Sequence, residues 1–250
     1  MELGVTFFAF AIPAVLFAGI SKGGFAAGAA FAASPFLALI LEPAAAIGLM
    51  LPLLMVMDIT ALRVFWRRWD WPVARRLMIG GLPGVVAGAA LYTAANADVL
   101  RFMIGVIALG FVAYQIARAR GVLRFEGWRA FPGAGYFWGA MAGFTSFISH
   151  AGGPPAAVYL LTRGLDKTTY QATTVIVFFA INIFKAVFYA GLGIFTAETL
   201  WAGMFLIPVA FIGVFLGVWL HRTVSQRLFF GLTYVFLTAT GGKLIFDALT

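Results

Sequence analysis

Apolar runs of about twenty residues recur from one end of the chain to the other, and nothing else in the sequence limits the fold as much. A helix of that length spans the hydrocarbon core of a bilayer with every backbone polar group paired inside it. The long runs lie at about 3–20, 44–64, 73–95, 99–117, 131–148, 170–190, 200–220 and 228–249, with interrupted ones at 25–41 and up to Leu161. Of the 250 residues, 63% are hydrophobic and only 10% charged, too few polar groups to clothe a soluble domain of this length. The expected fold class is an all-α polytopic membrane protein, multi-pass and solvated by the lipid bilayer.

The net charge of +8 raises the question of nucleic acid. The basic residues instead gather in short loops between runs: Arg63, Arg67, Arg68, Arg75 and Arg76, then Arg118, Arg120, Arg124 and Arg129. That is the positive-inside pattern of a membrane protein, so no nucleic-acid partner is expected. Trp66, Trp69 and Trp71 stand in the first of these loops, where an interfacial aromatic belt belongs. With no cysteine, disulfides, thiol catalysis and thiolate metal sites drop out; the two histidines, His150 and His221, lie too far apart to suggest a metal centre. No cofactor is expected, and no nucleotide-binding loop appears that would make the chain a primary pump. The run from Met1 to Ile20 opens with Glu2 and lacks a basic n-region, so it reads as a first helix that stays in the mature protein.

Two interruptions stand out. One is Ser149-His150-Ala151-Gly152-Gly153-Pro154-Pro155; the other, far upstream, is Ser21-Lys22-Gly23-Gly24. Each sets a side chain that can be cationic beside a glycine pair. Glycine lets the backbone turn, and proline suits the first turn of a new helix, so each reads as a helix that stops and restarts. A helix start presents free N–H groups and partial positive charge, which favour an anion.

Other landmarks repeat in the same order. Gly84 and Gly88 after Pro83 echo Gly213 and Gly217 after Pro208, and Arg101 before Gly105 echoes Arg227 before Gly231. The expected organisation is a first transmembrane repeat at 1–118, a basic cytoplasmic linker at 119–130 and a second repeat at 131–250. Placing every basic loop in the cytoplasm leaves three crossings between the two broken pairs, an odd number, which turns the second half upside down. The expectation is two inverted repeats of about five helical segments, the first two of each half short or re-entrant, and both termini periplasmic or extracellular. Inverted repeats with broken helices near the midplane are a transporter layout.

Substrate-binding candidates follow from the breaks and from one helix. Ser21, Lys22, Gly23, Gly24, Ser149, His150, Gly152 and Gly153 come from the breaks. A lysine at membrane depth costs about 2.5–3.5 kcal/mol on insertion scales, so it is seldom idle there; the other reading of Lys22 is an interfacial loop. Along 170–190, Thr174, Phe178, Asn182, Lys185 and Tyr189 fall on one face. Thr174, Asn182 and Lys185 could supply donors to an oxyanion; alternatively Lys185 snorkels to headgroups and the threonine bonds back to its own helix. His150 and Asp58 are the proton-coupling candidates, against a structural imidazole and a carboxylate that caps the cytoplasmic end near Arg63. The glycine spacings are compatible with a homo-oligomer and equally with contacts inside one chain. Ser149 beside His150 does not make a catalytic pair, since adjacent residues rarely face each other and no third group accompanies them; no enzyme is expected.

The chain resembles the sulfite exporter TauE/SafE family of bacterial membrane transporters over nearly all its length. The resemblance rests on Ala18-Gly19-Ile20-Ser21-Lys22-Gly23-Gly24-Phe25, on His150-Ala151-Gly152-Gly153-Pro154-Pro155, on Asn182 with Lys185, and on Asp58 before the Arg/Trp loop. It implies export of sulfite or a small organosulfonate across a bacterial inner (plasma) membrane, driven by the proton gradient. From the residues alone the expectation is a carrier of a small anion by alternating access, with an anion channel or an importer as the alternative.

Overall fold

A computed structural model describes residues 4–24, 29–121, 131–220 and 226–250. Every regular element among them is helical: α1 (Val5–Gly24), a short 3-10 turn (Ala30–Ala32), α2 (Ala33–Leu37), α3 (Pro43–Val64), α4 (Trp71–Ala94), α5 (Ala97–Ala119), α6 (Ala134–Ser149), α7 (Gly153–Leu161), α8 (Lys167–Gly191), α9 (Ala197–Leu220) and α10 (Gln226–Leu249). Six of these, α1, α3, α4, α5, α8 and α9, are long and apolar enough to cross a membrane. The linker at 122–130, His221 and Arg222 lie outside the described residues.

Helix starts follow from local chemistry. The Asp70 carboxylate accepts from the Val73 N–H at 2.9 Å ahead of α4, and the Asn96 side chain accepts from the Val99 N–H at 2.9 Å ahead of α5. Asp166 does the same for α8, taking the N–H groups of Thr168 and Thr169. Each satisfies donors that the first turn leaves without an intrahelical partner.

Packing follows the small residues. In lipid no hydrophobic drive pulls helices together, so close backbone approach has to supply the contact. At Gly84 a Cβ would lie 2.0 Å from the Ala140 carbonyl, and at Gly143 one would lie 2.1 Å from the Gly81 carbonyl, which seats α4 against α6. Gly23 and Gly217 seat α1 against α9 in the same way. α5 pairs with α10, and α3, the most buried of the six candidate spans, packs on α8 and α9.

These pairings have a pattern. α1 lies on α9 while α6 lies on α4; α3 touches α9 while α8 touches α4. α3 and α8 run antiparallel, since Asp58 meets Asn182 while Gly48, earlier in α3, meets Ile194, later in the chain. α5 and α10 are antiparallel as well: Gly105 faces Gly241 and Ile245, whereas Gln115 bonds Tyr234.

Two expectations need correction. The first interruption does not begin at Ser21, because α1 continues to Gly24. Gly23 there serves close approach to α9 rather than a turn. Of the first segments, α1 has 20 residues and is long enough to cross, while α6 has 16. Shortness falls on the second segments. α7 has nine residues, about 14 Å at 1.5 Å per residue, less than half a bilayer core.

Candidate functional site

The second interruption forms where α6 stops. His150 takes a left-handed backbone (φ 58°), a conformation that costs a residue other than glycine on the order of 1 kcal/mol. Three carbonyls at the end of α6 find partners there: that of Thr145 accepts from the Ala151 N–H, that of Ser146 from the His150 N–H, and that of Phe147 from the Tyr189 hydroxyl at 2.6 Å. Gly152 is tightly confined, since a Cβ there would come within 2.5 Å of the Phe178 ring. α7 then starts at Gly153. Pro154 and Pro155 carry no N–H, so only Gly152 and Gly153 bring donors to this helix start.

His150 is fixed by two bonds. Its Nε2 lies 3.0 Å from the Ile47 carbonyl of α3, which can only accept, so Nε2 carries the hydrogen. Nδ1 therefore offers a lone pair, and the Lys185 ammonium donates to it at 2.7 Å. Lys185 also donates to Ser146 Oγ at 3.1 Å and to Asn182 Oδ1 at 3.4 Å. The Asn182 amide turns its nitrogen the other way, donating to Asp58 Oδ2 at 2.8 Å. Asp58 Oδ1 accepts from Lys22, closing an ion pair between α3 and α1. One unbroken chain of bonds thus runs from Lys22 through Asp58, Asn182 and Lys185 to His150 and the α3 backbone. Asp58 and Lys185 are fully buried, whereas the Lys22 side chain is 14% exposed.

The chain borders a cavity of about 50 Å³. A water needs roughly 10–15 Å³ of such space, so the cavity holds a few waters or one small oxyanion. Of the candidates, Ser21, Lys22, Asp58, His150, Gly153, Thr174 and Asn182 line it, so the end of α1 and the α6–α7 break reach one space. Gly23, Gly24, Ser149, Gly152 and Lys185 are placed off its wall. Gly23 and Gly24 lie in the last turn of α1, where the unpaired backbone groups are carbonyls and not N–H donors. Ser149 bonds back to the Thr145 carbonyl. Lys185 stands one layer behind, bonded to three residues that form the wall, and it does not snorkel. Nor does Asp58 act as a cytoplasmic cap; it is buried in the ion pair.

Two polar wall residues were not among the sequence candidates. Ser146, one turn before His150, accepts from Lys185; Gln171, one turn before Thr174 on α8, donates from Nε2 to the Lys22 carbonyl at 2.8 Å. Gln171 and Thr174 share a helix face, a spacing that could have found it. Among the described residues no cluster of His, Asp and Glu could hold a metal ion.

The family model described as Sulfite exporter TauE/SafE matches residues 11–244, which takes in both interruptions, the Lys22–Asp58 pair and Lys185. The chain belongs to this family. It is therefore a multi-pass membrane protein of a transporter family for sulfite and related sulfur anions. No curated protein and no solved structure matches the chain.

Proposed function

We propose that the chain is a secondary active transporter that exports a small oxyanion, sulfite or a small organosulfonate, across the bacterial inner membrane by alternating access. The observation that carries this reading is the small cavity shared by the end of α1 and the α6–α7 break, with Lys22 on its wall. Ser21, Lys22, His150, Gly153, Thr174 and Asn182 form the substrate site, and Lys185 holds His150 and Asn182 in place. The exchange of packing partners between the halves, with α3 antiparallel to α8 and α5 to α10, supports inverted repeats divided at the 119–130 linker. Such repeats rock against each other around a fixed site. The charge asymmetry of the loops supports periplasmic termini.

Proton coupling follows from the ion pair. An arriving anion competes with the Asp58 carboxylate for the Lys22 ammonium. A carboxylate released in so dry a place is favoured as the neutral acid, so anion binding draws a proton. His150 is the second coupling residue, since a proton on Nδ1 would break its bond from Lys185 and free that ammonium. A site that carries anion and proton together is driven inward by the proton gradient, as an importer of a sulfur oxyanion, whereas export coupled to that gradient needs the proton to return after the anion has left; the sign of the pH-gradient effect on flux separates the two directions.

The test is flux in proteoliposomes with sulfite, sulfate, sulfoacetate and chloride, for wild type and Lys22→Ala. Saturable, trans-stimulated sulfite flux that Lys22→Ala abolishes is the expected result. Flux that neither saturates nor responds to anion on the far side makes the chain a channel and ends the carrier reading. An unchanged pH profile in His150→Gln removes His150 from proton handling.

A further inference from the structure

The wall of the cavity carries acceptors as well as donors, which a site for a bare anion would not need. Gln171 shows this most plainly. Its Nε2 must face the Lys22 carbonyl, since a carbonyl can only accept, and this turns Oε1 the other way. Gln171 Oε1 is buried and has no partner among the described residues. Thr174 uses its hydrogen on the Tyr170 carbonyl at 2.9 Å, which leaves its oxygen able only to accept, and Asp58 is an acceptor too. On the donor side, Ser21 Oγ is also buried and without a partner among the described residues, and Lys22 and Ser146 stand on the same wall. A buried polar atom without a partner costs roughly 1–3 kcal/mol, so an unsatisfied acceptor and an unsatisfied donor on two residues that line one cavity point to a guest that supplies both. A fully deprotonated dianion cannot do this, because its oxygens would meet the lone pairs of Gln171 and Thr174.

We propose that the site takes its sulfur oxyanion as the hydrogen-bearing monoanion, hydrogensulfite, with Gln171 Oε1 accepting the guest's hydrogen while Ser21 and Lys22 donate to its oxygens. Gln171 is thus a specificity-determining residue. The proposal rests on the reading of the chain as a sulfur-oxyanion carrier and says which protonation form of the guest it binds. Around the cavity the ionisable groups are Lys22 of α1, Asp58 of α3 and His150 after α6 on the wall, and Lys185 of α8 behind it. Any pH test has to separate their titration from that of the guest.

Methanesulfonate provides the separation, being a monoanion of similar size without a donor hydrogen at any pH of interest. Binding of sulfite and of methanesulfonate to the full chain in nanodiscs is measured across the second dissociation of sulfurous acid, near neutral pH. The expected result is that the sulfite-to-methanesulfonate affinity ratio falls as pH rises. In acid, Gln171→Met weakens sulfite about tenfold and leaves methanesulfonate within about twofold. A ratio that is flat or rises with pH overturns the proposal while leaving the carrier reading intact. Should Gln171→Met fold too poorly to bind methanesulfonate, the wild-type ratio alone decides. If wild type binds neither anion at any pH, the carrier reading falls and this proposal with it.

Discussion

Lys22→Ala strands the Asp58 carboxylate without its ion-pair partner. Removing one member of a buried pair costs about 3–5 kcal/mol, whereas neutralising both leaves a polar but uncharged contact. The expected outcome is a large fall in melting temperature for Lys22→Ala and for Lys22→Met. The double variant Lys22→Met/Asp58→Asn should recover most of the stability and none of the transport. Equal melting of Lys22→Met and the double variant would mean that neutralising Asp58 relieves no stranded charge, against this reading. A second residue prediction concerns Asp166 at the start of α8, outside the spans. Hydrogen bonds from the Thr169 hydroxyl and N–H hold its carboxyl below the usual carboxylate range. A depressed folded value means stabilisation that is present above the unfolded value and lost as pH falls through the folded one. The melting temperature of wild type should therefore exceed that of Asp166→Ala at neutral pH, with the gap closing in acid; a gap constant with pH would contradict the capping role.

At the scale of elements, two glycines that both lie inside apolar helices should behave oppositely. Gly84→Ala drives a Cβ into the Ala140 backbone, so α4 and α6 must separate, at about 1–3 kcal/mol. Gly110→Ala in α5 meets nothing within 4 Å and should stabilise by about 0.5–1 kcal/mol through helix propensity. Thermal melts of the two variants check this, and matched behaviour would show that α4 and α6 are not in backbone contact. The apolar runs located most helices to within a few residues, because Pro, Asp, Asn and Gly punctuate their ends. The end of α1 escaped, since Ser21–Gly24 has the composition of a turn and only the groove of α9 shows why it stays helical. The stripe of α8 pointed to Thr174 and Asn182, yet no periodicity reveals that the Asp58 carboxylate meets Lys22 36 positions earlier. Gln171 was overlooked because a glutamine near a helix start looks like an ordinary interfacial residue until its partner, a carbonyl at the end of another helix, is in view.

The arrangement of the whole molecule can be tested directly, since the chain has no cysteine of its own. Single cysteines at the exposed positions Arg68 and Arg163 should react with an impermeant thiol reagent only after the membrane is opened. Those at Ala94 and Ala197 should react in intact cells. Labelling of Arg68→Cys and Arg163→Cys on different sides would end the inverted-repeat reading. An ammonium group has three hydrogens, and in Lys185 all three are committed to imidazole, hydroxyl and carboxamide. To greet a passenger, this lysine must first let go of α6, of the residue that breaks it, or of its own helix neighbour. Recruitment and movement are then a single event, and the lysine that looks least available in the resting bundle is the one whose release would report that the bundle has begun to open.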